Sequence, residues 1–236
     1  MTLRWLMIAL CMLLLLGCGD KEPPPPSPEE IVQQTAAHLN QLSAFHFIIE
    51  RTGAPAFLDP EGLITFRRAQ GDYVSPDKAR AVVNVTVPGF ATEVSIISIG
   101  ASQWQTNVLT GAWEKLPPNW GFNPIVLFDP DLGLPAILQN DLSNLQLIGS
   151  EQLEDNADKL LYKLTADVSG EAIYEMSGTL IGPDPVTAEL WITPDTYELT
   201  RILVTEPVPD SEEPSLWQVD FSQFNQVVEI TPPLKK

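Results

Sequence analysis

The chain has 236 residues, with 13 Lys and Arg against 31 Asp and Glu and a formal net charge of −18. The acids are spread along its length, so their field repels phosphate backbones and anionic headgroups and argues against nucleic acid as a partner. Hydrophobic residues make up 44% of the sequence, too many for a disordered chain, and the length suits one substantial domain.

Arg4 and the apolar run from Trp5 to Leu16 have the polarity of an export signal. The run falls short of the about 20 residues that span a bilayer. It ends in Leu15-Leu16-Gly17-Cys18, which resembles the lipobox of bacterial lipoproteins. That resemblance implies a signal peptide over 1–17, cleavage before Cys18, a diacylglyceryl thioether on its sulfur and usually a fatty acyl group such as palmitate on its amine. Cys11 would leave with the signal, and the mature chain then has no second thiol for a disulfide. Two or three acyl chains, at about 0.8 kcal/mol per buried methylene, anchor stably where one short chain would be marginal. The expected place is the extracytoplasmic face of the cell membrane. Residues 18–28 read as a lipidated, proline-rich tether in extended polyproline geometry, and 29–236 as a single domain.

Ser27, Pro28 and Glu30 have the spacing of a capping box. Ile31, Val32, Thr35, Ala36, Leu39 and Leu42 follow at helical spacing, which predicts an amphipathic helix over 28–42. From Phe45 the period changes to two. Strands are predicted at 45–50, 63–68, 79–87, 93–99 and 103–108, with breaks at Gly53, Gly71-Asp72 and Pro88-Gly89 and a turn at Thr110-Gly111 leading into Trp113. Residues 117–145 are broken by Pro and Gly and rich in Leu and Ile, and predict short helices and loops crossing one face of the sheet. Strands resume at 159–168 and 172–180, and 188–204 is a hairpin about Thr193-Pro194-Asp195. An acidic, proline-rich excursion at 207–214 precedes 217–221 and 227–230, which close the sheet. Short strands joined by tight turns predict an antiparallel meander in an α+β domain.

Catalytic patterns are missing. Gly100-Ala101-Ser102-Gln103-Trp104 lacks the second glycine of a hydrolase elbow, and there is no phosphate loop, HExxH or cysteine cluster. His38 and His46 lack a patterned second ligand, and Asp129 and Asp131 suit helix capping around Pro130 and Pro135 better than a metal. Neither a cofactor nor a metal is implied. The pattern favours binding over turnover.

The middle segment supplies broken apolar cover for one face of the sheet. If that cover is incomplete, the space beneath it is an apolar pocket suited to acyl chains. Desolvating about sixteen carbons is then worth at most roughly 12 kcal/mol, with no charged clamp. Candidate lining residues are Phe47, Ile49, Val83, Val85, Ile97, Trp104, Trp120, Phe122, Leu127, Phe128, Leu134 and Leu138, with Trp120, Phe122 or Phe128 near the mouth. Two alternatives stay open: a structural or interaction lipoprotein in which these side chains fill an ordinary core, and an extracytoplasmic hydrolase with converging acids or serines.

Several stretches in order, namely Ile99-Gly100-Ala101-Ser102-Gln103-Trp104-Gln105-Thr106-Asn107, Gly111-Ala112-Trp113, Gly121-Phe122-Asn123-Pro124, Leu127-Phe128-Asp129-Pro130-Asp131-Leu132-Gly133-Leu134 and Ala188-Glu189-Leu190-Trp191-Ile192-Thr193-Pro194-Asp195-Thr196, resemble the LppX/LprAFG family of lipoproteins over most of 29–231. The resemblance implies a LolA/LolB-like fold: a single strongly curved antiparallel sheet, an unclosed barrel, with helices over its concave face and an apolar cavity between. It also implies a membrane-anchored carrier of long-chain lipid or glycolipid within the cell envelope, with an envelope transporter as a second partner. The acidity and proline content depart from members that handle anionic mannosides, which leaves the headgroup open.

Overall fold

The computed structural model describes residues 26–117, 123–154, 156–209 and 211–233. The expected signal peptide, Cys18, most of the tether, and the two aromatic candidates Trp120 and Phe122 lie outside these residues.

Helix α1 (Pro28–Leu39) begins as its cap predicts, with the Glu30 amide donating to the Ser27 hydroxyl at 3.1 Å. It stops three residues before the predicted end and buries Ile31, Val32, Thr35, Ala36 and Leu39. Six strands follow: β1 (Ala44–Gly53), β2 (Thr65–Val74), β3 (Lys78–Val87), β4 (Phe90–Ile99), β5 (Ser102–Thr106) and β6 (Trp113–Lys115). After a 3-10 turn (Pro124–Phe128) and α2 (Leu134–Asn140) come β7 (Leu142–Leu153), β8 (Asn156–Val168), α3 (Gly170–Met176), β9 (Val186–Ile192), β10 (Leu199–Glu206) and β11 (Ser215–Ser222).

All described strands join one antiparallel sheet in the order β6-β5-β4-β3-β2-β1-β11-β10-β9-β8-β7. It is two meanders fused at the β1–β11 pair, where Phe47 faces Phe221 and Ile49 faces Val219. This topology dictates the cover. The chain leaves the sheet at one edge, β6, and re-enters at the other, β7, so the intervening residues must cross a face. They do so as the 3-10 turn and α2, and α1 packs on α2.

Several expectations need correction. The sheet is not a strongly curved, unclosed barrel; it is an open sheet whose edge strands pair with nothing on their outer sides. The edges account for this: β6 is three residues long and β7 carries register shifts at three places, so neither offers the straight ladder that closure needs. Gly71-Asp72 lies inside β2, and the turn comes later, after Val74. Residues 172–180 hold the end of α3 and a loop, because Ser169 caps a helix there, accepting from the Ala172 amide. Strand β7 was not predicted, and 227–230 joins no strand.

The two sheet faces differ in character. One is apolar: Phe45, Phe47, Phe66, Ala69, Ala81, Leu164, Ala188, Leu190, Ile202, Val204, Trp217 and Phe221 are buried in the main core, and Val85 is buried beside them on this face. A bulge in β2 after Phe66 keeps both Phe66 and Ala69 on this face. The other face carries ion pairs, with Lys163 between Glu151 and Glu189 and Glu50 beside Arg68. It also carries a cross-strand row in which Asp72 accepts from Arg80 at 2.7 Å and lies 2.8 Å from His46 Nδ1.

Burial pushes the Asp72 carboxyl up, but the His46 and Arg80 contacts outweigh it and hold the group below its usual range. A depressed folded value contributes stability above the unfolded value of about 4, and that contribution is lost as pH falls through the folded value. Asp72→Asn should therefore lower the urea midpoint at pH 7, and the gap from the parent should narrow at pH 3. A gap that is unchanged or wider at pH 3 would contradict the assignment.

Candidate functional site

Beneath the crossing segment lies a cavity of about 740 Å³. Its sheet wall comes from inward-facing residues of ten strands, among them Phe47 and Ile49 of β1, Val83 and Val85 of β3, Val94 and Ile96 of β4, Ala188 and Leu190 of β9, and Val219 of β11. Val126, Leu127, Phe128, Leu134, Ile137 and Leu138 of the crossing segment form the opposite wall. Among the described lining residues Gln105, Asn123, Glu175, Ser177 and Thr179 are the polar ones, and Glu175 is the one charged side chain.

Of the twelve lining candidates, Phe47, Ile49, Val83, Val85, Leu127, Phe128, Leu134 and Leu138 meet at this cavity. Ile97 and Trp104 do not. Val94 pairs with Val83, so Val94 and Ile96 point inward and the Ile97–Trp104 pair points outward, where Lys115 lies 5.4 Å from the Trp104 ring. Phe128 is not at the mouth: it is 8% exposed and makes edge contacts with Phe45 at 4.7 Å and Phe221 at 6.3 Å. With Tyr73 at 5.1 Å it plugs one end of the cavity.

The mouth is at the other end. The exposed lining residues Phe57, Leu58, Glu175, Gly178 and Thr179 lie in the β1–β2 loop, the last turn of α3 and the stretch after it. Sequence reasoning names neither segment as part of the site: 54–62 carries no regular period, and 172–180 reads as a strand.

Two buried charges hold those loops. Arg51 donates to the carbonyls of Phe66, Gly53 and Ala54, fixing the base of the β1–β2 loop, and burial lowers its pKa from the usual arginine value. Glu206 accepts from Trp217 Nε1 at 2.9 Å and from the Gly182 amide at 2.7 Å, fixing the loop after α3. Removing the carboxylate strands two donors, which costs about 3 kcal/mol. Glu206→Ala should lose that much stability in urea unfolding and speed amide exchange over 177–182, while Glu206→Gln, which keeps an acceptor, should lose less. Equal losses would contradict the role.

The arrangement offers volume and apolar surface. Asp129 does not cap α2 as expected: its Oδ1 accepts from the amides of Asp131 and Leu132 at 2.8 and 3.1 Å, within the turn, and Gly133 precedes the helix with no side-chain cap. Among the described residues no three His, Cys, Asp or Glu side chains gather as metal ligands, and no helix is long and apolar enough to cross a membrane.

The fold is similar to those of several solved structures, among them two crystal structures. LprF from Mycobacterium bovis matches with a TM-score of 0.67 at 16% identity, over 88% of this chain and 97% of that one. The Mycobacterium tuberculosis lipoprotein LppX matches with a TM-score of 0.60 at 17% identity, over 86% and 98%. At these identities the likeness shows a shared fold. No curated protein matches the chain in sequence. The family model described as LppX_LprAFG lipoprotein matches residues 27–230, nearly all of the folded part. The chain therefore belongs to the LppX_LprAFG lipoprotein family, non-catalytic lipoproteins of carrier-type fold anchored at the extracytoplasmic face of a membrane.

Proposed function

We propose that the protein binds long-chain lipid or glycolipid in the cavity and carries it within the cell envelope. The observation that carries this reading is the apolar void of about 740 Å³ between the sheet and its cover. A dry cavity of about 150 Å³ admits one benzene ring, so by the same yardstick this one takes roughly 30 carbons, or two acyl chains of ordinary length. A filled-core interaction protein gains nothing from such a void, which costs stability in proportion to its volume.

The headgroup would stay at the mouth. With Glu175 as the one charge lining the described cavity, an anionic headgroup would meet a carboxylate, so a neutral, hydroxyl-bearing headgroup fits better. Anchoring is assigned to acyl chains on Cys18 after loss of 1–17, with 18–28 as the tether and an envelope transporter as the loading or receiving partner.

Native mass spectrometry of the chain purified from a lipid-containing host, followed by organic extraction, tests both parts. A stoichiometric long-chain lipid adduct is expected, together with diacylglyceryl and acyl mass on the peptide beginning at Cys18. A bare mass that persists after incubation with phospholipids, glycolipids and triacylglycerol would overturn the carrier reading.

A further inference from the structure

Antiparallel meanders send alternate turns to opposite ends of a sheet. The β1–β2, β3–β4 and β5–β6 turns therefore share one end, and because Gly53 pairs with Ser215 and Val168 with Val186, the β8–β9 and β10–β11 connections share it too. This is the end where the cavity opens.

Turn tips are ordinarily polar. Here they are not. Leu63 is 54% exposed in the first turn, Phe90 50% at the second and Leu109 85% in the third, with Phe57, Leu58 and Trp113 also exposed beside them. At the opposite end the turns Ser75-Pro76-Asp77, Gly100-Ala101 and Thr193-Pro194-Asp195 expose no large apolar side chain, and the exposed Val227 there lies in the stretch after β11 instead of on a turn tip. Phe57 and Leu58 belong both to the cavity wall and to this rim, so the apolar lining reaches the rim at the β1–β2 turn.

We infer that this rim inserts into the surface of a lipid bilayer, with the cavity mouth facing the membrane. The inference rests on the carrier reading above. Three features point to lipid as the occupant. The apolar side chains sit on separate protruding tips instead of one flat, shape-specific patch. Through Phe57 and Leu58 they adjoin a cavity whose cargo must otherwise cross water, where every exposed methylene adds to the barrier. The family places the chain on a membrane already. Charge sets the kind of bilayer: Asp59, Glu61 and Glu114 flank the tips, so an uncharged or zwitterionic interface suits them and an anionic one repels.

The test uses the full lipidated chain reconstituted in phosphatidylcholine vesicles. Leu63→Cys, Phe90→Cys and, at the opposite end of the sheet, Val227→Cys are labelled singly with an environment-sensitive dye, Cys18 being blocked by its lipid. The expected result is a blue shift and quenching by bilayer-embedded quenchers at positions 63 and 90, with position 227 water-like. In a second arm, Leu63→Ser/Phe90→Ser/Leu109→Ser alters only side chains outside the cavity wall. It should keep its lipid adduct by native mass spectrometry while transfer of lipid to acceptor vesicles slows about tenfold.

Water-like dyes at 63 and 90, equal quenching at 227, or a blue shift that vanishes on dilution because a second copy covers the tips would each overturn bilayer insertion. Transfer by the serine variant at the parent rate would overturn it as well. Absence of any adduct in the parent protein would instead overturn the carrier reading, and the dye result would stand apart from it.

Discussion

Ala188→Trp is expected to leave the fold standing and to cut lipid occupancy at least tenfold. Ala188 is 2% exposed on β9, and its side chain lines the cavity wall. In a filled core, adding an indole there would force neighbours off their rotamers and cost about 1–3 kcal/mol or more. Facing a void of about 740 Å³, the ring has space to enter and gains contacts instead. The acyl chains lose that same space. The two readings of the interior thus predict opposite outcomes for one variant. A lipid-carrying cavity gives a melting temperature within a few degrees of the parent and no adduct in native mass spectrometry. A packed interior gives a large drop in melting temperature, and a retained adduct with an unchanged melting temperature would place the lipid elsewhere. Val83→Trp, on the other half of the sheet, should behave alike, so a failure special to β9 can be told from a failure of the cavity.

Much of this organisation is legible in the residues. The capped first helix, the meander of strands and the crossing segment all follow from period and punctuation, because each rests on local chemistry: a serine cap, alternating apolar positions, prolines that interrupt. What is not legible depends on partners distant in the chain. Glu93 to Ile99 carries apolar side chains on both faces, and only the pairing of Val94 with Val83 decides that Ile96 faces the cavity and Ile97 faces away. Strand β7 hides for a related reason, since register shifts after Ser143, Leu147 and Glu151 break its alternation. Sheet curvature is likewise not a local property. The short β6 and the irregular β7 leave the sheet open where resemblance to a barrel-like fold implied strong curvature. Of the mouth segments, the β1–β2 loop has no period and 172–180 suggests a strand that does not form, and what fixes them, Arg51 and Glu206, reads in sequence as two more surface charges.

Gly71→Val is expected to be the most damaging single change, even though propensity alone predicts the reverse. Valine is favoured in strands and glycine disfavoured, so a scale would score the substitution as stabilising by a fraction of a kcal/mol. Gly71 lies in the middle of β2, opposite Phe47 on one side and Ala81 on the other. A Cβ placed there would overlap the Arg80 carbonyl oxygen and stand 2.9 Å from both the Ala81 Cα and the Phe47 Cζ. The glycine is therefore the space in which the Phe47 ring lies, and Phe47, 1% exposed, is a wall of the cavity and a neighbour of the Phe128 plug at 5.3 Å. Valine would have to displace the β3 backbone and the ring together. The expected loss is about 3 kcal/mol or more, a large fraction of the stability of an ordinary domain. Equilibrium unfolding should show the midpoint falling steeply or the folded state missing, and Gly71→Ala should show a smaller loss in the same direction. A neutral or stabilising Gly71→Val would mean that β-propensity governs this position and that the ring does not occupy the place of the missing side chain. Phe47→Leu adds a second check: by shortening the ring it should relieve part of the Gly71→Ala penalty, so that the double variant loses less than the sum of the single ones.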